Sequence, residues 1–250
     1  MPPRKSNTAT TPVTAASLDD EVQSVLKWLK SHSTKATRDG MARYAIPSDN
    51  AFGVTMGTMQ QLAKRLGHNH ALAAALWDTG WYEARMLASF VDDPARVTPA
   101  QMDRWCRDFD NWVICDTVCF KLFDRTPHAW TKVAKWSDHR EEFVKRAAFA
   151  LLWSLTAHDK HAGDEQFVQG LVLIERAAND ERNFVKKAVN MALRAIGKRN
   201  AALHTAAVEL AGRLAESESP TSRWIGKDAL KELTSEAVVG RVRRVPRRER

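Results

Sequence analysis

The chain has 250 residues, 44% of them hydrophobic, and a formal net charge of +8 at pH 7. That composition suits one or two compact units or one elongated array of repeats, and no apolar run approaches the ~20 residues needed to cross a bilayer. The charge sits at the ends: residues 1–17 hold +2 and residues 241–250 hold +5, which leaves +1 for the body, so bulk basicity alone does not argue for a nucleic-acid partner.

The first 17 residues, with Ser, Thr and Ala after Met1-Pro2-Pro3-Arg4-Lys5, lack the apolar segment of a secretory signal and read as a disordered tail. Ser17 is positioned to cap a first helix over 18–31, with Asp19, Asp20 and Glu21 in its opening turn and Leu18, Val22, Val25, Leu26 and Leu29 at helical spacing. Helices then follow over 34–45, 55–66, 69–79 and 81–91, punctuated by Gly67 and Gly80. Thr98-Pro99 and Thr126-Pro127 each set a capping residue before a proline at the first helical position. They open helices over 98–108 and 126–136, on either side of one over 110–124. The remainder reads as helices over 139–157, 164–178, 182–197, 200–216 and 220–234, with residues 236–250 as an Arg-rich disordered tail. No stretch alternates with the period of two that a strand needs.

The fold class is therefore all-α. Short connections force neighbouring helices antiparallel, and helix pairs recur every 35–45 residues or so, the pattern of degenerate HEAT-like repeats stacked into a curved solenoid over residues 18–235. A compact helical bundle is the competing architecture. Nine Trp against two Tyr suits packing anchors and equally suits a surface that stacks on bases.

Chemistry concentrates around Phe109–Asp116. On a helix, Asp116 lies one turn beyond Trp112, with Cys119 and Phe120 one turn further on. A carboxylate on an apolar, aromatic face loses hydration and must be paired or put to use. Lys145 and Arg146 lie at the margin of the stripe Phe143, Ala147, Ala150, Leu151 and Leu155, where a guanidinium would reach a phosphate or Asp116. From Phe184 to Leu203 there are Lys186, Lys187, Arg194, Lys198 and Arg199 and no acid, a stretch that serves as a phosphate-binding stripe or simply as a solvated face. Met191 falls on that basic side, away from Val185, Val189, Ala192, Leu193 and Ile196.

His68 and His70, and His158 and His161, have spacings that metal sites use, but nothing in the sequence fixes a third ligand, and no metal is expected. No Gly-rich phosphate loop, Gly-x-Ser-x-Gly elbow or Cys/His signature is present. Cys106, Cys115 and Cys119 form no disulfide framework, which suits a reducing compartment.

Six ordered blocks then carry a resemblance over roughly residues 20–235. They are Thr79–Arg85, Asp110-Asn111-Trp112, Asp116-Thr117, Phe143–Ala148, Arg182–Ala188 and Ala192–Asn200. Together they resemble the AlkD-like DNA alkylation repair proteins, HEAT-repeat DNA glycosylases. The resemblance implies excision of N3- or N7-alkylated purines from duplex DNA by a monomer without a cofactor, in the cytoplasm of a bacterial-type cell and associated with the nucleoid. It places the catalytic aspartate at Asp116, a lesion-flanking tryptophan at Trp112 and the family's arginine at Arg146. The second flanking tryptophan falls on Met191, where this chain departs from the pattern. Lys187, Arg194, Lys198 and Arg199 are the expected phosphate contacts. Two other readings stand beside it: a DNA-binding relative without catalysis, and a protein-interaction scaffold.

Overall fold

The structure, a computed structural model, describes residues 15–244. Among these there are fourteen α-helices, two short 3-10 turns and no strand. The helices are α1 (Ala15–Ser31), α2 (Lys35–Gly40), α3 (Met56–Leu66), α4 (His70–Asp78), α5 (Tyr82–Val91), α6 (Pro99–Arg107), α7 (Trp112–Lys121), α8 (Ala129–Trp136), α9 (Glu142–His158), α10 (Asp164–Ala177), α11 (Asn183–Ile196), α12 (Ala201–Ala215), α13 (Pro220–Leu233) and α14 (Glu236–Arg244).

Helices α3, α5, α7, α9, α11 and α13 pack side by side in that order as one layer. The second layer covers it, with α4 against α5, α8 against α9, α10 against α11 and α12 against α13. This is the helix-pair solenoid expected of the sequence pattern, not the bundle. Helix α9 lies at its middle and is buried nearly all round, from Val144 through Leu155.

Several Trp residues are anchors. Trp77 and Trp105 stack with centroids 4.1 Å apart, and both are fully buried, as is Trp136. Two of these three buried indoles satisfy their N–H within the protein, while Trp105 Nε1 has no hydrogen-bond partner among the described residues. Trp77 donates to Asp108 at 2.8 Å and Trp136 to Asp103 at 2.9 Å. The histidines have structural partners: His70 meets Asp92 at 2.6 Å and His158 meets Asp124 at 2.5 Å. Among the described residues no group of three potential ligands could hold a metal, and no helix is long and apolar enough to cross a membrane.

Capping decided most boundaries. Thr98 caps α6 through Gln101 N with Pro99 in the first turn, as its sequence implies. Thr126 does not cap a helix. Its hydroxyl donates to Phe123 O across a 3-10 turn, and α8 begins only at Ala129. Helix α1 starts at Ala15, so Ser17 lies inside it rather than at its cap. The largest correction is at the end of the body. Residues 236–244 are helical rather than a tail, because Val238 and Val242, four apart, bury one face at 6% and 3% exposure. The expected disorder of 1–14 and 245–250 lies outside the described residues.

Candidate active site and nucleic-acid interface

The site begins with a cap. Asn111 accepts from the amides of Val113 and Ile114 at 3.1 and 3.0 Å, which starts α7 and makes Trp112 its first residue. Trp112 is half-buried and donates its indole N–H to the carbonyl of Tyr44 at 2.8 Å. One turn on, Asp116 turns toward α9. There Arg146 donates Nε to Oδ1 at 2.9 Å and Nη2 to Oδ2 at 2.6 Å, a bidentate pair. Its third nitrogen, Nη1, donates to Phe184 O on α11 at 2.7 Å. The guanidinium lies 5.9 Å from the Trp112 ring centroid. Arg146 thus clamps three adjacent helices of one layer and fixes the carboxylate from a guanidinium that itself lies near the indole.

Accessibility separates the two charges. Arg146 is 3% exposed, whereas the Asp116 side chain keeps 16% of its surface open. Burial pushes the Asp116 carboxyl above the ordinary carboxylate value, against the pull of Arg146. Burial also opposes the Arg146 cation, yet the charge and hydrogen bonds of Asp116 outweigh it and raise that group. We read the pair as ionised near neutral pH, since a guanidinium stays charged and a neutral acid would leave it uncompensated. Each carboxylate oxygen accepts one Arg146 N–H and keeps a second lone pair.

The model of the family described as "DNA alkylation repair enzyme" matches residues 25–233. The chain belongs to the DNA alkylation repair enzyme family. Among solved structures, one from a family described as related to the HEAT-like repeat DNA glycosylases, with affinity for branched DNA structures, is similar at 21% identity. That match has a TM-score of 0.74 and covers 88% of this chain and 95% of the other. A designed armadillo repeat protein matches at 13% identity and a TM-score of 0.38, covering 90% of this chain and 96% of its own. No curated protein matches the chain.

The structure brings Trp112, Asp116 and Arg146 together. The expected reach of Arg146 to a phosphate does not hold, because the side chain is buried and all three of its nitrogens are committed within the protein. It is a positioning residue for Asp116. Met191 is half-buried on α11, two turns beyond Phe184.

The four expected phosphate contacts divide. Lys187 is exposed, with no ion pair or hydrogen bond to another described residue. Arg194 and Lys198 both pair with Glu232 of α13, at 2.5 and 2.6 Å, and stay part-exposed. Arg199 is a structural staple. It donates to the carbonyls of Thr156, Asp159 and Ala162 at 2.8, 2.9 and 3.1 Å and lies 4.2 Å from the Phe167 centroid. Those bonds tie it to the end of α9 and the loop that follows, which removes it from the candidate phosphate contacts.

Sequence reasoning missed two groups. Glu142 accepts from Phe184 N at 3.0 Å and fixes the start of α11, a bond spanning 42 residues that no local pattern marks. Trp224 is 43% exposed on α13 with Lys186 5.7 Å from its ring. The signal for it was there, a lone indole between Arg223 and Lys227 on a polar helix face.

Proposed function

We propose that this protein is a monofunctional DNA glycosylase that hydrolyses the N-glycosidic bond of cationic N3- or N7-alkylated purines in duplex DNA. The observation that carries the reading is the Asp116 carboxylate, partly open and held by Arg146, whose guanidinium lies 5.9 Å from the Trp112 ring centroid. An alkylated purine is already a good leaving group. As its bond to deoxyribose stretches, the sugar gains oxocarbenium character, as in glycoside hydrolysis. A fixed carboxylate stabilises that charge, and its remaining lone pairs orient the attacking water. Trp112 offers a π surface to the cationic lesion or sugar. Nothing in this scheme uses a lysine nucleophile, so hydrolysis leaves the strand intact. Lys187 is the clearest phosphate contact, while Arg194 and Lys198 are partly neutralised by Glu232.

A second reading, a DNA-binding relative that releases no base, draws on two observations. Arg146 neutralises much of the Asp116 charge at close range, and Met191 replaces an indole with a side chain that makes a poorer cation surface. The similar solved structure is itself described by affinity for branched DNA. Incubation with duplex containing one 7-methylguanine separates the two. The glycosylase reading expects free base and an alkali-labile abasic site above the spontaneous rate. Binding without release would leave only the second reading.

A further inference from the structure

The block Thr79–Arg85 takes no part in the chemistry at Asp116, yet it builds a second concave feature. A groove of about 860 Å³ opens between α1 and the segment 47–55, within the about 300–1,000 Å³ usual for ligand sites. Phe52 and Trp81 line it as a stacked pair, with centroids 4.2 Å apart and planes 17° from parallel. The pair is held rigidly. The buried carboxylate of Glu83 accepts from three consecutive amides, Phe52, Gly53 and Val54, at 2.9, 2.7 and 3.1 Å. Tyr82 N adds a bond to Asn50 O at 2.8 Å, and Thr34 N one to Gly53 O at 3.0 Å. Gly53 sits at φ +86°, and a Cβ there would meet Thr34 O at 2.5 Å, so the tight approach requires glycine.

The walls carry Lys27 and Lys30 from α1 and Arg38 from α2, against Asp20 and Asp49. Both lysines are exposed, with no ion pair or hydrogen bond to another described residue. Pre-formed aromatic faces rimmed by cations are the recurring solution for single-stranded nucleic acid, because every base has a π face and every linkage a charge. The two acids add acceptors for Watson–Crick-edge donors, such as thymine N3–H, which are free in an unpaired base and occupied in a paired one. One segment of chain serves both the groove and the candidate site. The chain that gives its Tyr44 carbonyl to Trp112 runs on to Phe52 eight residues later.

We infer that the groove between α1 and the Phe52–Trp81 stack binds an unpaired DNA strand leading away from a duplex seated over Trp112. The inference needs DNA as the partner but does not need Asp116 to release a base. The test titrates the full chain, by fluorescence anisotropy at one salt concentration, into a blunt duplex and into the same duplex with an unpaired thymine tail. The wild type is expected to prefer the tailed DNA by about tenfold or more. Lys27→Glu with Lys30→Glu, and separately Trp81→Ala, should abolish the preference, Trp81→Phe should retain most of it, and blunt-duplex affinity should be unchanged throughout. Equal wild-type affinity for both DNAs overturns the inference. So does an undiminished preference in the charge-reversed protein, whose exposed lysines leave folding unaffected, or an equal loss on both DNAs. Base release from a blunt lesion duplex, measured on the same variants, reports on the Asp116 reading separately and should be unaltered.

Discussion

Removing Arg146 should be one of the most damaging changes available to this protein, and pairing that change with the right second substitution should undo most of the damage. Arg146→Met deletes both hydrogen bonds to Asp116 and the one to Phe184 O. It leaves a desolvated carboxylate with no counter-charge. Breaking a buried pair by removing one partner costs about 3–5 kcal/mol, more than either hydrogen bond alone would suggest, because the surviving charge stays buried. Asp116→Leu should cost a similar amount through the stranded guanidinium. The double variant retains neither charge and should lie within about 1–3 kcal/mol of wild type, the remainder being the lost bond to the Phe184 carbonyl and repacking. Urea unfolding of all four proteins at pH 7 gives the cycle. Lowering the pH should shrink the Arg146→Met penalty, since protonation relieves the buried Asp116. If the single variants lose less than about 1 kcal/mol, or if their losses simply add, the pair is solvated and Arg146 does not hold the carboxylate in place.

Other expectations follow from separate parts of the structure. At Gly226 a Cβ would come within 2.3 Å of Ala215 N and 2.6 Å of Ala211 O, so Gly226→Ala should lower stability by about 1–3 kcal/mol. Nothing lies within 4 Å of the corresponding atom at Gly212, inside α12, where Gly212→Ala should raise stability by about 0.5–1 kcal/mol. Thermal midpoints of the two variants should therefore move in opposite directions. Asp180, hydrogen-bonded by Arg182 and Lys145, and Asp103, where bonds from Lys132, Lys135 and Trp136 overcome burial, are both held at about 2 rather than 3.8. A depressed folded value means stability that is full above pH ~4 and lost on descent towards pH ~2, at about 2 kcal/mol per carboxylate. Asp180→Asn should flatten that acid limb in a melting series, and an unchanged limb would remove Asp180 from its cause. Met191→Trp should raise the rate of base release from 7-methylguanine duplex several-fold if position 191 faces the lesion, and leave it unchanged if it does not.

Much of the fold could be read directly from the chain, because helix ends here are set by local chemistry. The expected helix over 55–66 appears as Met56–Leu66, capped by Thr55 and ended at Gly67 with φ +67°. Local rules failed where a longer-range partner decided. Thr126-Pro127 looks like a helix start, yet the Thr126 hydroxyl is taken by Phe123 O. Helix α14 was obscured by its arginines, although Val238 and Val242 show the four-residue spacing that packs it. In the site, Trp112 and Asp116 were legible as one face of one helix. Their clamp was only half legible. Arg146 could be placed at the edge of a stripe, but its acceptors lie 30 and 38 residues away, and one is a backbone carbonyl with no sequence signature. The same distance hid Glu232, which pairs Arg194 and Lys198 from 38 and 34 residues on, so part of a one-sign stretch in sequence is partly neutralised in space.

The most direct measurement is single-turnover release of 7-methylguanine from duplex DNA by wild type and Asp116→Asn, each at saturating protein. Asparagine keeps the shape beside Trp112 and removes the negative charge, so the two should bind the duplex alike while release by the variant drops to near the spontaneous rate. Equal release by both proteins would show that the charge on Asp116 does not stabilise the departing sugar.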